Sequence, residues 1–100
     1  MEETIFGLIS HSGDAKSLLM EAISAAKEGK FDDAQEKIFE ASEKLNLAHK
    51  VQTSLIQSEA GGEKQEASLL LIHAQDHLMN ALLLKDLATE FIDLYKKIEK

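Results

Sequence analysis

The stretch LLLIHAQDHLMNALLL, from Leu69 to Leu84, decides the fold class of this 100-residue chain. Eleven of its sixteen residues are Leu, Ile, Met or Ala, and they fall on more than one face of a helix instead of alternating as in a half-buried strand. A helix that is apolar nearly all round must be covered nearly all round. Two other helices of so short a chain can cover one side only, so we expect the other side to pack against the same helix of another copy.

Glycines divide the chain into three helical segments. Gly29 and the pair Gly61-Gly62 are the expected helix ends, because glycine takes the left-handed conformation at little steric cost. We predict an all-α fold with one domain over residues 1–100, an antiparallel three-helix bundle with helices at roughly 3–28, 31–58 and 67–98. The predicted apolar stripes are Ile5, Leu8, Ile9, Ala15, Leu19, Ala22, Ile23 and Ala26 in the first helix, interrupted by Ser12; Phe31, Ala34, Ile38, Ala41, Leu45, Ala48, Leu55 and Ile56 in the second; and, in the third, Leu70, Ala74, Ala81, Leu84, Ala88, Phe91 and Tyr95 on one face with Ile72, Met79, Leu83, Leu87, Leu94 and Ile98 on another.

Charge and composition exclude several classes of function. The net charge is −7 and all eleven basic residues are Lys, which leaves no basic surface for a nucleic-acid backbone. Cys is absent, which excludes disulfides, thiolate zinc sites and a cysteine nucleophile. No apolar stretch approaches the roughly 20 residues that span a bilayer, and the N-terminus lacks the pattern of a signal peptide. We expect a cytoplasmic protein with no nucleic-acid partner and no insertion into a membrane.

Four polar residues interrupt the apolar third segment: His73, Gln75, Asp76 and His77. Burying polar groups costs free energy unless they are paired, so a functional role is the preferred explanation. The two histidines are spaced i, i+4, which predicts that they lie on one face about one turn apart, flanked by Gln75 and Asp76. Asp76 also falls within the second apolar stripe.

Three chemistries compete for the histidine pair. Zinc binding needs further ligands, and the H-E-x-x-H motif has Glu where this chain has Ala74. Hydrolysis with a histidine base needs a Ser or Cys nucleophile or an activated water, and no Ser-containing elbow or Cys is present. Phosphoryl transfer needs only what is present, because one imidazole nitrogen can accept the group while the second histidine and an amide donate hydrogen bonds to its oxygens. The structural alternative is a set of ordinary core or surface residues.

The string LLLIHAQDHLMNALLLKDL, from Leu69 to Leu87, closely resembles the segment around the phosphorylated histidine in the lactose/cellobiose-type IIA component of the bacterial sugar phosphotransferase system. The likeness extends to SGDAKS at residues 12–17, EGKF at 28–31 and AHKVQT at 48–53. It implies that His73 receives a phosphoryl group from the histidine phosphocarrier protein and passes it to a cysteine of the IIB component. IIB then phosphorylates a β-linked disaccharide such as cellobiose, lactose or chitobiose. By the same resemblance Gln75 and His77 support the phosphoryl group.

The resemblance also implies a homotrimer in which the third helices pack about the axis and Asp76 binds a divalent cation, expected to be Mg²⁺ with a structural role. Three carboxylates on a dry axis would repel one another unless a cation or protonation neutralised them, which gives the ion a physical rationale. The sequence does not identify the disaccharide.

A helical protein-interaction module is the alternative function. The stretch AAKEGKFDDA, residues 25–34, is also similar to the helix-turn-helix of tetratricopeptide or MIT-type modules, which bind peptides or helices. Only one such unit occurs, whereas repeat arrays need about three, and a peptide groove does not explain the polar cluster. Four further polar residues stand out, and we expect them to be solvated surface residues: His11, His49, Gln52 and Thr53.

Overall fold

Three long helices build the chain in the computed structural model, which describes residues 2–62 and 68–99. They are α1 (Glu2–Lys27), α2 (Phe31–Ala60) and α3 (Leu69–Ile98), and within the described ranges there is no strand. The predicted all-α three-helix fold is confirmed. Helix α2 extends two residues beyond the predicted 58, and the predicted start of the third helix at residue 67 lies outside the described residues. No helix in the described ranges is long and apolar enough to cross a membrane.

The helix ends follow the local chemistry that the sequence indicates. Gly29 and Gly62 have φ angles of +78° and +101°, the left-handed conformation expected of them. The start of α3 is fixed by Ser68, whose Oγ accepts a hydrogen bond from the backbone N–H of Leu71 at 3.0 Å. This cap fixes where the first turns of α3 begin, and those turns carry the polar cluster.

The bundle core is rich in alanine at intervals of seven residues. Fully buried alanines recur at 34, 41 and 48 in α2 and at 74, 81 and 88 in α3, while Leu8 and Leu19 of α1 supply larger side chains. A seven-residue repeat keeps the same side of each helix on its neighbours along the whole length, and small residues there allow close approach. The molecule is accordingly long and narrow, 56 × 20 × 19 Å. Ser12 is fully buried in this core, and no hydrogen-bond partner for its Oγ lies in the described part of the chain.

One face of α3 is left uncovered by the rest of residues 2–62 and 68–99. We call it the outer stripe, and its members are between 45% and 62% exposed: Ile72, Met79, Leu83, Leu87, Leu94 and Ile98. This agrees with the expectation that the two other helices cover one side of α3 only. The core positions predicted for Ile56 and Phe91 are wrong, because their side chains are 56% and 42% exposed. Leu55 is buried as predicted and continues the seven-residue spacing from Ala48, whereas the core position expected of Phe91 belongs to its neighbour Ile92, one turn beyond Ala88.

Replacing Gly29 by Ala is expected to lower the free energy of unfolding by about 1–2 kcal/mol, since a Cβ strains the left-handed backbone. That Cβ would also lie 2.9 Å from the Glu99 carboxylate. Gly7→Ala is the matched control with the opposite sign, because Gly7 is within α1 and a Cβ there meets nothing within 4 Å. It is expected to raise the same free energy by about 0.5–1 kcal/mol. Denaturant unfolding measures the free energy of unfolding of both variants. A change of the same size and sign in both would contradict the strain argued for a Cβ at Gly29.

Candidate functional site

The histidine pair of α3 forms the centre of the candidate site. The rings of His73 and His77 are 4.5 Å apart between centroids and nearly perpendicular, at 84°. His73 is exposed, whereas His77 is partly buried against the bundle. The i, i+4 spacing therefore brings the two rings together as predicted. The His73 ring is open to solvent, and the His77 ring packs partly against the bundle.

Helix α1 contributes a contact that the sequence analysis missed. The Nζ of Lys16 lies 3.0 Å from Nδ1 of His77. An ammonium has protons to donate and no lone pair, so Nδ1 must be the acceptor of this hydrogen bond. The residue belongs to the SGDAKS segment quoted above for its family likeness, which was the available signal.

Gln75 lies away from the histidine face, contrary to expectation. Two residues along a helix correspond to about 200° of rotation, so Gln75 and His73 point to different sides of α3. The Gln75 amide oxygen accepts a hydrogen bond from Nε2 of Gln52 on α2. Gln52 is thus partly buried and bonded, and its expected role as a solvated surface residue is wrong. Within one chain, Gln75 is hydrogen-bonded to α2, whereas His77 is hydrogen-bonded to α1.

The electrostatic surroundings favour the neutral form of His77. Partial burial lowers the pKa of His77 below its ordinary value of 6.5, and the charges of Lys16 and His73 lower it further. The carboxylate of Asp76 acts in the opposite direction and is the smallest of the four influences. The ring therefore stays neutral near pH 7, where it retains one N–H to donate and one nitrogen to accept.

Asp76 lies on the outer stripe and is exposed, between Ile72 and Met79. Within the described ranges of one chain, no group of three His, Asp or Glu residues is placed to hold a metal ion. The histidine pair consequently has no third ligand for zinc in that part of the chain. Asp76 alone offers one carboxylate, so a cation there would need ligands from other copies.

The other singled-out residues have mixed surroundings. His49 is exposed, as expected, whereas His11 and Thr53 are partly buried. The Nδ1 atom of His11 is buried and is without a hydrogen-bond partner among residues 2–62 and 68–99. The expectation of a solvated surface residue is therefore wrong for the ring of His11, whose Nδ1 is buried, while Thr53 keeps part of its surface exposed.

Comparison with known proteins decides the family. The model described as "PTS system, Lactose/Cellobiose specific IIA subunit" matches residues 3–96. This chain belongs to that IIA family. The IIA chain is 56% identical over 98 residues to the lichenan-specific phosphotransferase enzyme IIA component of Bacillus subtilis, covering 98% of this chain and 89% of that protein. The predicted family is confirmed, and the chain is a phosphotransferase component for sugars.

Solved structures of relatives have the same fold as the IIA chain. The cellobiose-specific enzyme IIA of Bacillus anthracis matches with a TM-score of 0.96 and 60% identity over 98% of this chain and 90% of that chain. The IIA(chitobiose) chain of Escherichia coli, solved in complex with HPr, matches with a TM-score of 0.87 and 44% identity over 99% and 96% of the two chains. Membership of this family leaves the tetratricopeptide or MIT-like alternative without support.

Proposed function

We propose that the IIA chain carries a phosphoryl group on His73 between two partner proteins of the phosphotransferase system. The observation that carries this proposal is the exposed His73 ring beside the oriented His77 ring. Exposure gives a protein partner access to His73, while His77 is held from α1 through Lys16. A carrier needs both properties, because the acceptor must be reachable and the hydrogen-bond donor must already be in place.

The proposed loading step is a direct transfer between imidazoles. The lone pair of an unprotonated His73 ring nitrogen attacks phosphorus, and the bond from phosphorus to the donor's nitrogen breaks with its electron pair. We propose the histidine phosphocarrier protein HPr as the donor, supported by the E. coli relative that was solved as an IIA(chitobiose)–HPr complex. In the second transfer a cysteine thiolate of the IIB component attacks the phosphorus, and the bond to His73 breaks.

An apolar surface at one end of the bundle suits these partners. His73 is near the start of α3, and exposed Phe6 near the start of α1 and exposed Ile56 near the end of α2 lie at the same end, because α2 runs antiparallel to the other two helices. Exposed apolar side chains at the end of the bundle that carries the reacting group are available for contact with a protein partner. We therefore place the shared docking surface for donor and acceptor at this end.

The proposed site holds its cargo modestly. The chain has no Arg, so a bidentate guanidinium clamp on the phosphoryl oxygens is absent. The neutral N–H of His77 is a weaker donor, which suits a group that must leave again for the next carrier. The free energy of the phosphohistidine then stays between those of donor and acceptor.

We further propose a homotrimer in which the outer stripe of each chain packs about the threefold axis. The stripe is an exposed apolar face along α3, interrupted by Asp76, that the other described residues leave uncovered. His73 lies on one flank of this stripe and Gln75 on the other, by the rotation of about 100° per residue. In a threefold bundle opposite flanks of neighbouring helices meet, so Gln75 would support the phosphoryl group on His73 of the adjacent copy.

The same trimer would bring three Asp76 carboxylates together among apolar neighbours. One carboxylate per chain fits a hard cation shared by three copies, and we propose a divalent ion, Mg²⁺, with a structural role. Asp76 would supply the ligand oxygens, and the ion would neutralise charges that otherwise repel one another.

The sugar of this carrier is proposed to be a β-linked disaccharide such as cellobiose, lactose or chitobiose. Relatives of comparable similarity are named for lichenan, cellobiose and chitobiose. The site itself contains only groups suited to a phosphoryl group, so the choice among these sugars belongs to other components. The cytoplasmic location expected from the sequence is part of the same proposal.

The proposal is tested by intact mass after incubation with phosphoenolpyruvate and the two general phosphotransferase proteins. We expect one phosphoryl adduct per chain that is labile in acid and stable in alkali, as for a phosphohistidine. Subsequent addition of a IIB protein should remove it. Folded protein that takes up no phosphoryl group would refute the carrier function.

A further inference from the structure

Lys16 of α1 contacts the candidate site, although it is not part of the polar cluster of α3. Lys16 lies one helix away from His73 and 61 residues earlier in sequence than His77, yet its Nζ is within 3.0 Å of the His77 Nδ1. Its side chain is partly buried where it reaches α3. The contact is therefore a product of the fold and not of local sequence.

We propose that Lys16 is a positioning residue of the phosphoryl site: its ammonium fixes His77 as the tautomer protonated at Nε2, so that this N–H is available to a phosphoryl oxygen on His73. The inference rests on the proposed function, in which His73 is the acceptor. It deepens that function by assigning a residue outside α3.

The donor inventory determines the tautomer. A neutral imidazole has one N–H and one bare nitrogen, and the hydrogen bond made by one nitrogen selects the state of the other. Because the ammonium of Lys16 only donates, it occupies the lone pair of Nδ1 and leaves the proton on Nε2, at the other side of the ring. The opposite tautomer would place two protons against each other and break the contact.

The charge of Lys16 is also available to the site. Three other lysines lie within 4.0 Å of carboxylates, in the pairs Lys30–Glu28, Lys37–Glu21 and Lys44–Asp14. In the described part of the chain no such carboxylate lies against Lys16. A bound phosphoryl group carries about −1.5 to −2 charges, so a cation directly behind its hydrogen-bond donor strengthens that donor. In a chain without Arg, this lysine supplies positive charge at the site.

The tautomer is measured by ¹⁵N NMR of the His77 ring in the unphosphorylated full chain, at a pH where the ring is neutral. We expect wild type to show a bare Nδ1 and a protonated Nε2. Lys16→Met keeps the apolar stem but removes the donor, so both tautomers should become populated. Lys16→Arg, whose guanidinium also only donates, should restore the wild-type signature, and Lys16→Ala provides a second variant without the donor.

Phosphoryl transfer from phosphorylated HPr is the second readout. The rate of loading should fall roughly tenfold in Lys16→Met, the size expected for one hydrogen bond to a charged group, and Lys16→Arg should recover most of it. Lys27→Met, the same change at an exposed position of α1, should leave the rate unchanged.

Four outcomes decide the proposal. A change of tautomer together with slower loading supports the proposal. An unchanged tautomer in Lys16→Met overturns it, and so does a changed tautomer with an unchanged rate. Failure of wild type to take up phosphoryl at all would instead refute the proposed function, and the tautomer measurement separates the two cases because it needs no phosphoryl group.

Discussion

Replacing His73 by Gln is expected to abolish phosphorylation of the chain completely. Gln keeps a polar side chain of similar reach, but its amide nitrogen has no free lone pair to bond to phosphorus. The substitution should leave the fold intact, since His73 is exposed and lies outside the buried core. Incubation with phosphoenolpyruvate and the general phosphotransferase proteins, followed by intact mass, should give the adduct in wild type and none in the variant.

His49→Gln is the matched control for this experiment. His49 is likewise an exposed histidine on a helix, but it is on α2 and makes no contact with the His73–His77 pair that the structure describes. We expect it to be phosphorylated at the wild-type rate. Retention of an acid-labile adduct by His73→Gln would move the acceptor to another histidine, with His77 as the first alternative.

Much of the fold follows from the glycine positions and from the apolar spacing within single helices. The glycines that end α1 and α2 and the uncovered face of α3 could all be predicted, because each depends on local conformation or on the period of one helix. Ile56 and Phe91 were misplaced because each adjoins another apolar residue, and the period of a single helix does not choose between neighbours. The alanine repeat makes that choice for Leu55, which is seven residues after Ala48, but not for Ile92, because the same step from Ala88 leads to Tyr95.

The candidate site, too, could be predicted from the sequence only in part. The proximity of His73 and His77 is a property of one helix, so their i, i+4 spacing predicts it. The partners Lys16 and Gln52 depend on how far α1 and α2 slide along α3, which hydrophobic periodicity leaves undetermined. The placement of Gln75 opposite the histidines was nevertheless available from helix geometry, because two residues rotate the side chain by about 200°.

Replacing Leu83 by Lys is expected to convert a trimer into monomers. Leu83 is at the middle of the outer stripe and 59% exposed in the single chain, so the proposed trimer would bury it in three copies. Each copy would lose about 1.5–3 kcal/mol of apolar burial and would place an ammonium beside two others at the axis. Light scattering should give about 11.1 kDa for the variant and about three times that mass for wild type.

Met20→Lys is the matched control for the loss of an apolar side chain from the surface. Met20 is 53% exposed but lies with Glu21, Glu36 and Glu40 in a groove between α1 and α2, away from the outer stripe. It should leave the mass at the trimer value. A monomeric wild type, or a Leu83→Lys variant that stays trimeric, would contradict packing through this stripe.

Asp76→Leu changes the same stripe as Leu83→Lys, but it should preserve the trimer or stabilise it. Removing one partner of a buried charge cluster is costly, but replacing all the charges by apolar groups of similar size is often neutral or stabilising. Because symmetry changes all three copies at once, the variant trimer should survive a chelator, whereas wild type should lose thermal stability when the proposed cation is removed. Asp33→Leu on the α1–α2 face should keep the wild-type sensitivity to chelator. Dissociation of Asp76→Leu into monomers would show that the carboxylate itself holds the chains together, and the argument from charge repulsion would then be wrong.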